Sequence, residues 1–137
     1  MLSLDNRFLM LERSQQESFP GWCTPGGYKK EGEEDFRSLV REREEELNLN
    51  VHESDLLTRV KTEDPRDGSV LVVDYHGLKI PGYSGELSLN QESKSYTWHP
   101  LESRRKFSTE KEGDYKLAFS SDKIFFNKLE RREISFP

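Results

Sequence analysis

The chain has 137 residues, and its 26 Asp and Glu outnumber 21 Lys and Arg to leave a formal net charge of −5. That balance offers no basic face for nucleic acid, and no run approaches the roughly 18 apolar residues of a membrane span, so neither partner is expected. Eight Phe, five Tyr and two Trp supply a modest core despite a lean 32% hydrophobic fraction, and residues 1–137 read as one domain rather than a disordered chain.

The single cysteine, Cys23, excludes an internal disulfide and fits a reducing compartment. The N-terminus has no charged segment followed by an apolar run, unlike a secretory signal. The cytoplasm is therefore the expected location. No helix start or His lies near Cys23 in sequence, so a small residue packed at a strand end is a better reading than a nucleophile. A protein this acidic that handles phosphates must bring its own cations, and metal ions are the obvious means.

Taken in order, Leu2 to Arg13 predicts two strands, the first very short, about a turn at Asp5-Asn6. The run Phe8-Leu9-Met10-Leu11 is apolar on both faces, as in an interior strand. Ser14 to Pro20 reads as loop, and Trp22-Cys23-Thr24-Pro25 as a short strand cut off by proline and Gly26-Gly27. Glu33 or Glu34 starts a helix whose acidic first turn suits the positive end of the helix dipole. Phe36, Leu39, Val40 and Leu47 share one stripe of that helix and should face the core, and Asn48 suits a left-handed C-terminal cap.

Beyond the helix, Val51 to Val60 leads into a strand, and Thr62 to Gly68 carries the turn signals of a loop. Val70 to Ile80 is the most strand-like run in the chain. Pro81 to Glu92 reads as loop, Ser95 to His99 as a short strand closed by Pro100, and 102–116 as charged loop. Ser120 or Ser121 can cap a final helix from Asp122 to about Arg132, docked through Ile124, Phe125 and Leu129. Strands, helix, strands, helix is the order of an α/β sandwich.

The chemistry concentrates on the first helix. Glu42, Glu45 and Glu46 stand at i, i+3 and i+4, so their carboxylates emerge on one face, at a cost of roughly a few tenths of a kcal/mol per like-charged pair. Hard oxygen donors grouped in this way suit Mg²⁺ or Mn²⁺. A solvated acidic face is the plainer alternative. It is disfavoured by the context: a Gly-Gly turn precedes the helix, Glu33 opens it, and Arg41 is interleaved to orient or neutralise the acids.

With these residues in place, the chain resembles the Nudix hydrolases, whose box reads G-x5-E-x7-R-E-U-x-E-E-x-G-U with U a bulky aliphatic residue. Gly27, Glu33, Arg41, Glu42, Glu45, Glu46 and Leu49 hold the required spacing over 23 residues without a gap. Arg43 replaces an aliphatic residue and Asn48 the final glycine. Asn48 tolerates the same backbone conformation. The Arg43 stem is expected to cover apolar surface while its head reaches water. Phe8 to Arg13, Asp64 to Gly68, Trp98 to Leu101 and Leu117 to Ile124 are looser similarities to small bacterial ADP-ribose pyrophosphatases.

The resemblance implies an α/β/α sandwich with a mixed sheet, here with its N-terminal strand shortened. That strand is either trimmed, or completed by a missing segment or by a partner chain such as the second copy of a homodimer. The resemblance also implies Glu42, Glu45, Glu46 and the Gly26 carbonyl as ligands of Mg²⁺ or Mn²⁺, with Glu33 and Arg41 orienting them. Glu92 is the loop candidate for general base and Glu86 a weaker one. Arg13, Arg66 and Gly27 would meet the substrate, although each arginine suits a surface ion pair equally. The implied substrate is a nucleoside diphosphate linked to another group, foremost ADP-ribose or a related nucleotide sugar. A modified nucleoside triphosphate is the alternative. A non-catalytic module that senses ADP-ribose is a third, and the retained glutamates argue against it.

Overall fold

The computed structural model describes residues 2–3, 7–15, 17, 19–80, 87–100, 107 and 115–134. The expected turn at Asp5-Asn6, the loop from Pro81 to Glu86 and most of 102–116 lie outside the described residues. The described residues form six strands: β1 (Leu2–Ser3), β2 (Arg7–Arg13), β3 (Trp22–Cys23), β4 (Leu56–Arg66), β5 (Ser69–Ile80) and β6 (Ser93–Pro100). The helices are α1 (Asp35–Leu47) and α2 (Ser120–Glu130), with one 3-10 turn at Glu53–Asp55.

β2 organises the sheet. One edge pairs with β6 from Arg7↔Pro100 to Arg13↔Ser93, while the other is shared by β1 at Phe8 and by β3 at Leu11 and Glu12. β1 runs parallel to β5, and β5 runs antiparallel to β4, so the sheet is mixed. The shortened β1 therefore lies between β2 and β5 rather than at the rim. Pattern and length do not reveal such a strand order.

The period of two along β2 divides the interior. Phe8 and Met10 join Tyr75, Phe125 and Phe126, whereas Leu9 and Leu11 join Cys23, Leu47, Leu49 and Leu78, with Phe36, Leu39 and Val40 packed against them. Each such side chain contributes roughly 1.5–3 kcal/mol when fully buried. Helices α2 and α1 thus cover opposite faces, which is the α/β/α sandwich expected. Asn48 closes α1 in the left-handed conformation (φ 52°), its N–H donating to the Glu44 carbonyl and that of Leu49 to Arg43.

Three expectations are corrected. Thr62 to Arg66 is strand, not loop: β4 and β5 form a hairpin in which Arg66 pairs with Ser69 about Asp67-Gly68, and Gly68 takes φ 74°. Pro65 is tolerated because, among the described residues, β4 is the last strand on its side of the sheet and has no ladder to supply outward. In α2, Ser120 does not cap. It is already helical, and its hydroxyl donates to Asp64 instead. The buried stripe of α2 is Asp122, Phe125 and Phe126 with Leu129 beside it, and Ile124 is only half-buried.

Candidate active site

β3 leads the chain into the site. Trp22 is bonded to Lys116 and Ala118 on the side away from β2, and the Thr24 N–H and hydroxyl both donate to Asp122 at 3.0 and 2.8 Å. Asp122 also accepts from the Tyr75 hydroxyl at 2.7 Å. Its burial raises the carboxyl above the ordinary range. With the start of α2 so tied down, Pro25 delivers the Gly26-Gly27 turn onto the acidic face of α1. The Gly26 N–H donates to Glu46 at 3.4 Å. A Cβ on Gly27 would stand 2.2 Å from the Glu42 carboxyl carbon, so only glycine permits this approach.

Arg41 is the hub of the solvent-facing half. Its guanidinium makes two bonds to Glu33 (2.8 and 3.0 Å), ion pairs to Glu42 (2.9 Å) and Glu45 (3.1 Å), and donates to the Tyr28 carbonyl (3.1 Å). The bond from Arg41 is the main reason the Glu33 carboxyl is held down to about 2, helped by the Lys30 N–H. Lys29 pairs with Asp35 at 3.0 Å and ties the intervening loop to the start of α1, and Arg59 of β4 pairs with the same carboxylate.

The inner half is different. Arg43 and Glu46, both buried, pair at 2.9 Å between Nη2 and Oε1. Burial pushes the Glu46 carboxyl up to about 7, against the pull of Arg43. The expectation that the Arg43 head reaches water is therefore overturned. Position 43 faces inward, and helical spacing lays its head on Glu46 one turn away. Its box position already pointed to this, since that position takes an inward aliphatic residue. Cys23 lies close by, and burial raises its thiol to about 12, which makes it an inert core residue.

The remaining candidates line an open cleft of about 1020 Å³ that runs along the acidic face. Glu92 is exposed in the turn before β6, where its carbonyl accepts from the Ser14 N–H, and its charge is felt by Glu46. Arg13 is drawn inward from the same cleft. It donates to the Phe19 carbonyl (2.8 Å), pairs with Glu17 (3.2 Å) and lies over the Phe119 ring at 4.7 Å. Arg66 pairs with Asp64 at 2.9 Å. Glu86 lies outside the described residues. Sequence reasoning missed Asp64 and Asp122, whose burial on otherwise polar segments carried no pattern of its own.

Residues 1–118 match the NUDIX domain family model. The chain belongs to the Nudix family. As a Nudix protein it is a hydrolase of phosphorus-containing anhydrides, a family that acts on small nucleotide substrates and generally uses divalent metal ions. Among solved structures, a MutT protein from Methanosarcina mazei Go1 is 20% identical, with 98% of this chain and 90% of that one covered at a TM-score of 0.68. An Ap4A hydrolase binary complex from C. elegans is 21% identical, covering 93% and 85% at 0.59. A bifunctional NMN adenylyltransferase/ADP ribose pyrophosphatase from Francisella tularensis is 16% identical, covering 94% of this chain and 39% of that one at 0.66. These likenesses establish the Nudix fold. No helix among the described residues is long and apolar enough to cross a membrane.

The chemistry of the donor set suits a hard divalent ion: oxygen donors from three glutamates within one turn of helix, and a glycine backbone held against Glu42. Among the described residues no three Asp, Glu, His or Cys converge as a metal-holding group. Arg41 and Arg43 explain why, because they hold Glu45 and Glu46 apart.

Proposed function

We propose that this Nudix protein hydrolyses ADP-ribose or a related nucleotide sugar to AMP and a sugar phosphate. The observation that carries the reading is the Gly27 backbone packed against Glu42, within a box that keeps Glu33, Arg41, Glu45 and Glu46. In this reading Glu42, Glu45, Glu46 and the Gly26 carbonyl hold Mg²⁺ or Mn²⁺. The bound ion supplies charge neutralisation at the phosphate oxygens and acidifies water. Glu33 fixes Arg41, and Arg41 fixes the direction of Glu42 and Glu45. Glu92 accepts the proton of the attacking water at the rim of the cleft.

Arg13 and Arg66 also line the cleft, where phosphate and terminal ribose oxygens would replace their present carboxylate partners. Gly27 gives the pyrophosphate close access to the backbone. The ADP-ribose preference is supported by the looser sequence similarities and by the name of the Francisella enzyme. Residues 1–137 act as one domain in this reading, and the lone buried thiol suits the reducing cytoplasm.

The test is a Mg²⁺-dependent screen over ADP-ribose, nucleotide sugars, dinucleoside polyphosphates and modified deoxynucleoside triphosphates, with the products separated and identified by chromatography. AMP plus ribose phosphate from ADP-ribose is the expected product pair. Preferential release of pyrophosphate from a triphosphate would reassign the substrate while keeping the chemistry. Ligand binding without turnover of any substrate would make the chain a sensing module.

A further inference from the structure

Position 43 is where this chain differs most in chemistry from its family's box, which carries an aliphatic residue there. The guanidinium that replaces it is neither solvated nor fully bonded. The Arg43 side chain is 4% exposed and that of Glu46 8%. Nη2 donates to Glu46 Oε1 at 2.9 Å, while the buried Nε has no partner among the described residues. The other Glu46 oxygen, Oε2, accepts from the Gly26 N–H at 3.4 Å. Both oxygens of an expected metal ligand are thus turned to protein donors.

We propose that Arg43 is a built-in competitor of the divalent ion for Glu46. An ion approaching the site meets Glu42 and Glu45 first, because Arg41 holds them at the cleft and water can take its place. Glu46 can join only against the positive charge that the guanidinium holds at hydrogen-bond distance from its carboxylate. Arg43 thereby weakens metal binding and makes occupancy depend on the metal supply, which an aliphatic residue at this position would not do. The inference rests on the reading of Glu42, Glu45 and Glu46 as ligands. The size of the effect follows from charge: removing one positive charge at hydrogen-bond distance from a ligand strengthens attraction of a second cation by about tenfold or more at protein dielectric.

The test is direct Mn²⁺ binding to the metal-free full chain, read from the electron paramagnetic resonance signal of free Mn²⁺, for wild type, Arg43→Met and Arg43→Lys. Arg43→Met is expected to bind Mn²⁺ about tenfold tighter or more, and Arg43→Lys to stay within about threefold of wild type because it keeps the charge. Equal affinity of Arg43→Met and wild type overturns the competition and leaves the ligand assignment standing. Absence of Mn²⁺ binding in all three proteins overturns the ligand assignment and the competition together. Arg43→Met leaves Glu46 without its cation, so its metal-free form is expected to melt lower and to gain more from Mn²⁺ than wild type does. A variant that stays unfolded at millimolar Mn²⁺ also overturns the proposal, because the ion then does not take the place of the guanidinium.

Discussion

Arg41 and Arg43 stand two residues apart on α1 and treat their carboxylates in opposite ways. Arg41, with its side chain 20% exposed, spreads over Glu33, Glu42 and Glu45 at the mouth of the cleft. Arg43 holds one carboxylate in the interior. Similar ion pairs therefore have different consequences. At the surface each is worth about 0–1 kcal/mol and exchanges readily with water or another cation. In the interior, removing one partner costs about 3–5 kcal/mol, because a charge is left buried without compensation. One turn of helix thus carries an exchangeable half and a structural half.

The largest effect expected from this contrast is on stability. Glu46→Gln leaves Arg43 buried without an ionised partner, and should lower unfolding free energy by about 3–5 kcal/mol in denaturant titrations of the metal-free protein above pH 7, where Glu46 is charged. The double variant Arg43→Met with Glu46→Gln should recover most of that loss. If Glu46→Gln alone melts like wild type, the inner pair is not structural and the contrast collapses.

Glu45→Gln inverts the pattern. The Glu45 side chain is 53% exposed, so stability should change by less than about 1 kcal/mol. Mg²⁺-dependent hydrolysis should fall about a hundredfold or more, beyond the roughly 10–100-fold typical of residues that merely support a ligand. Full activity in this variant would remove Glu45 from the ligand set.

Arg41→Lys should fall between these two. Lysine keeps the charge but cannot make the paired bonds to Glu33 and reach Glu42, Glu45 and the Tyr28 carbonyl together. A loss of about 10–100-fold in activity is expected, with a smaller loss of stability than Glu46→Gln causes. Comparing kcat/KM and melting temperature for the two variants places the divide between the halves.

The same divide explains what could be read from the sequence. The box was legible because helical spacing alone puts Glu42, Glu45 and Glu46 on one face. The two cores were legible in Phe8-Leu9-Met10-Leu11, where every residue is buried and alternate ones serve opposite faces. Burial of charge was harder to read: the box position of Arg43 signalled it, but a long stem able to carry its head to water masked the signal. Arg43 looked like a surface arginine, and Asp122 hid the stripe it shares with Phe125 and Phe126. Pro65 and Asp67-Gly68 gave true turn signals, but the chain uses them at the outer strand of a hairpin, and a sequence does not say which strand is outermost.

Acid titration gives the smallest effect and separates the halves by sign. Glu33 is held down to about 2 from an ordinary value of 4.5, chiefly by its bond from Arg41. Its contribution to stability is complete above 4.5 and is lost as pH falls through that value toward 2. Asp122 is shifted the other way, upward from 3.8 by burial. The folded state then holds a proton that the unfolded state releases, so the contribution of Asp122 is complete below 3.8 and declines as pH rises above it. Melting temperatures of Glu33→Gln should therefore converge on wild type as pH falls from 4.5 toward about 2, where the wild-type carboxylate is protonated as well. Asp122→Asn should lie nearest wild type at low pH and lose less stability as pH rises toward neutrality. If both variants tracked wild type at a constant offset across this range, neither carboxylate would be titrating with the fold, and the opposed signs assigned to the two environments would be wrong.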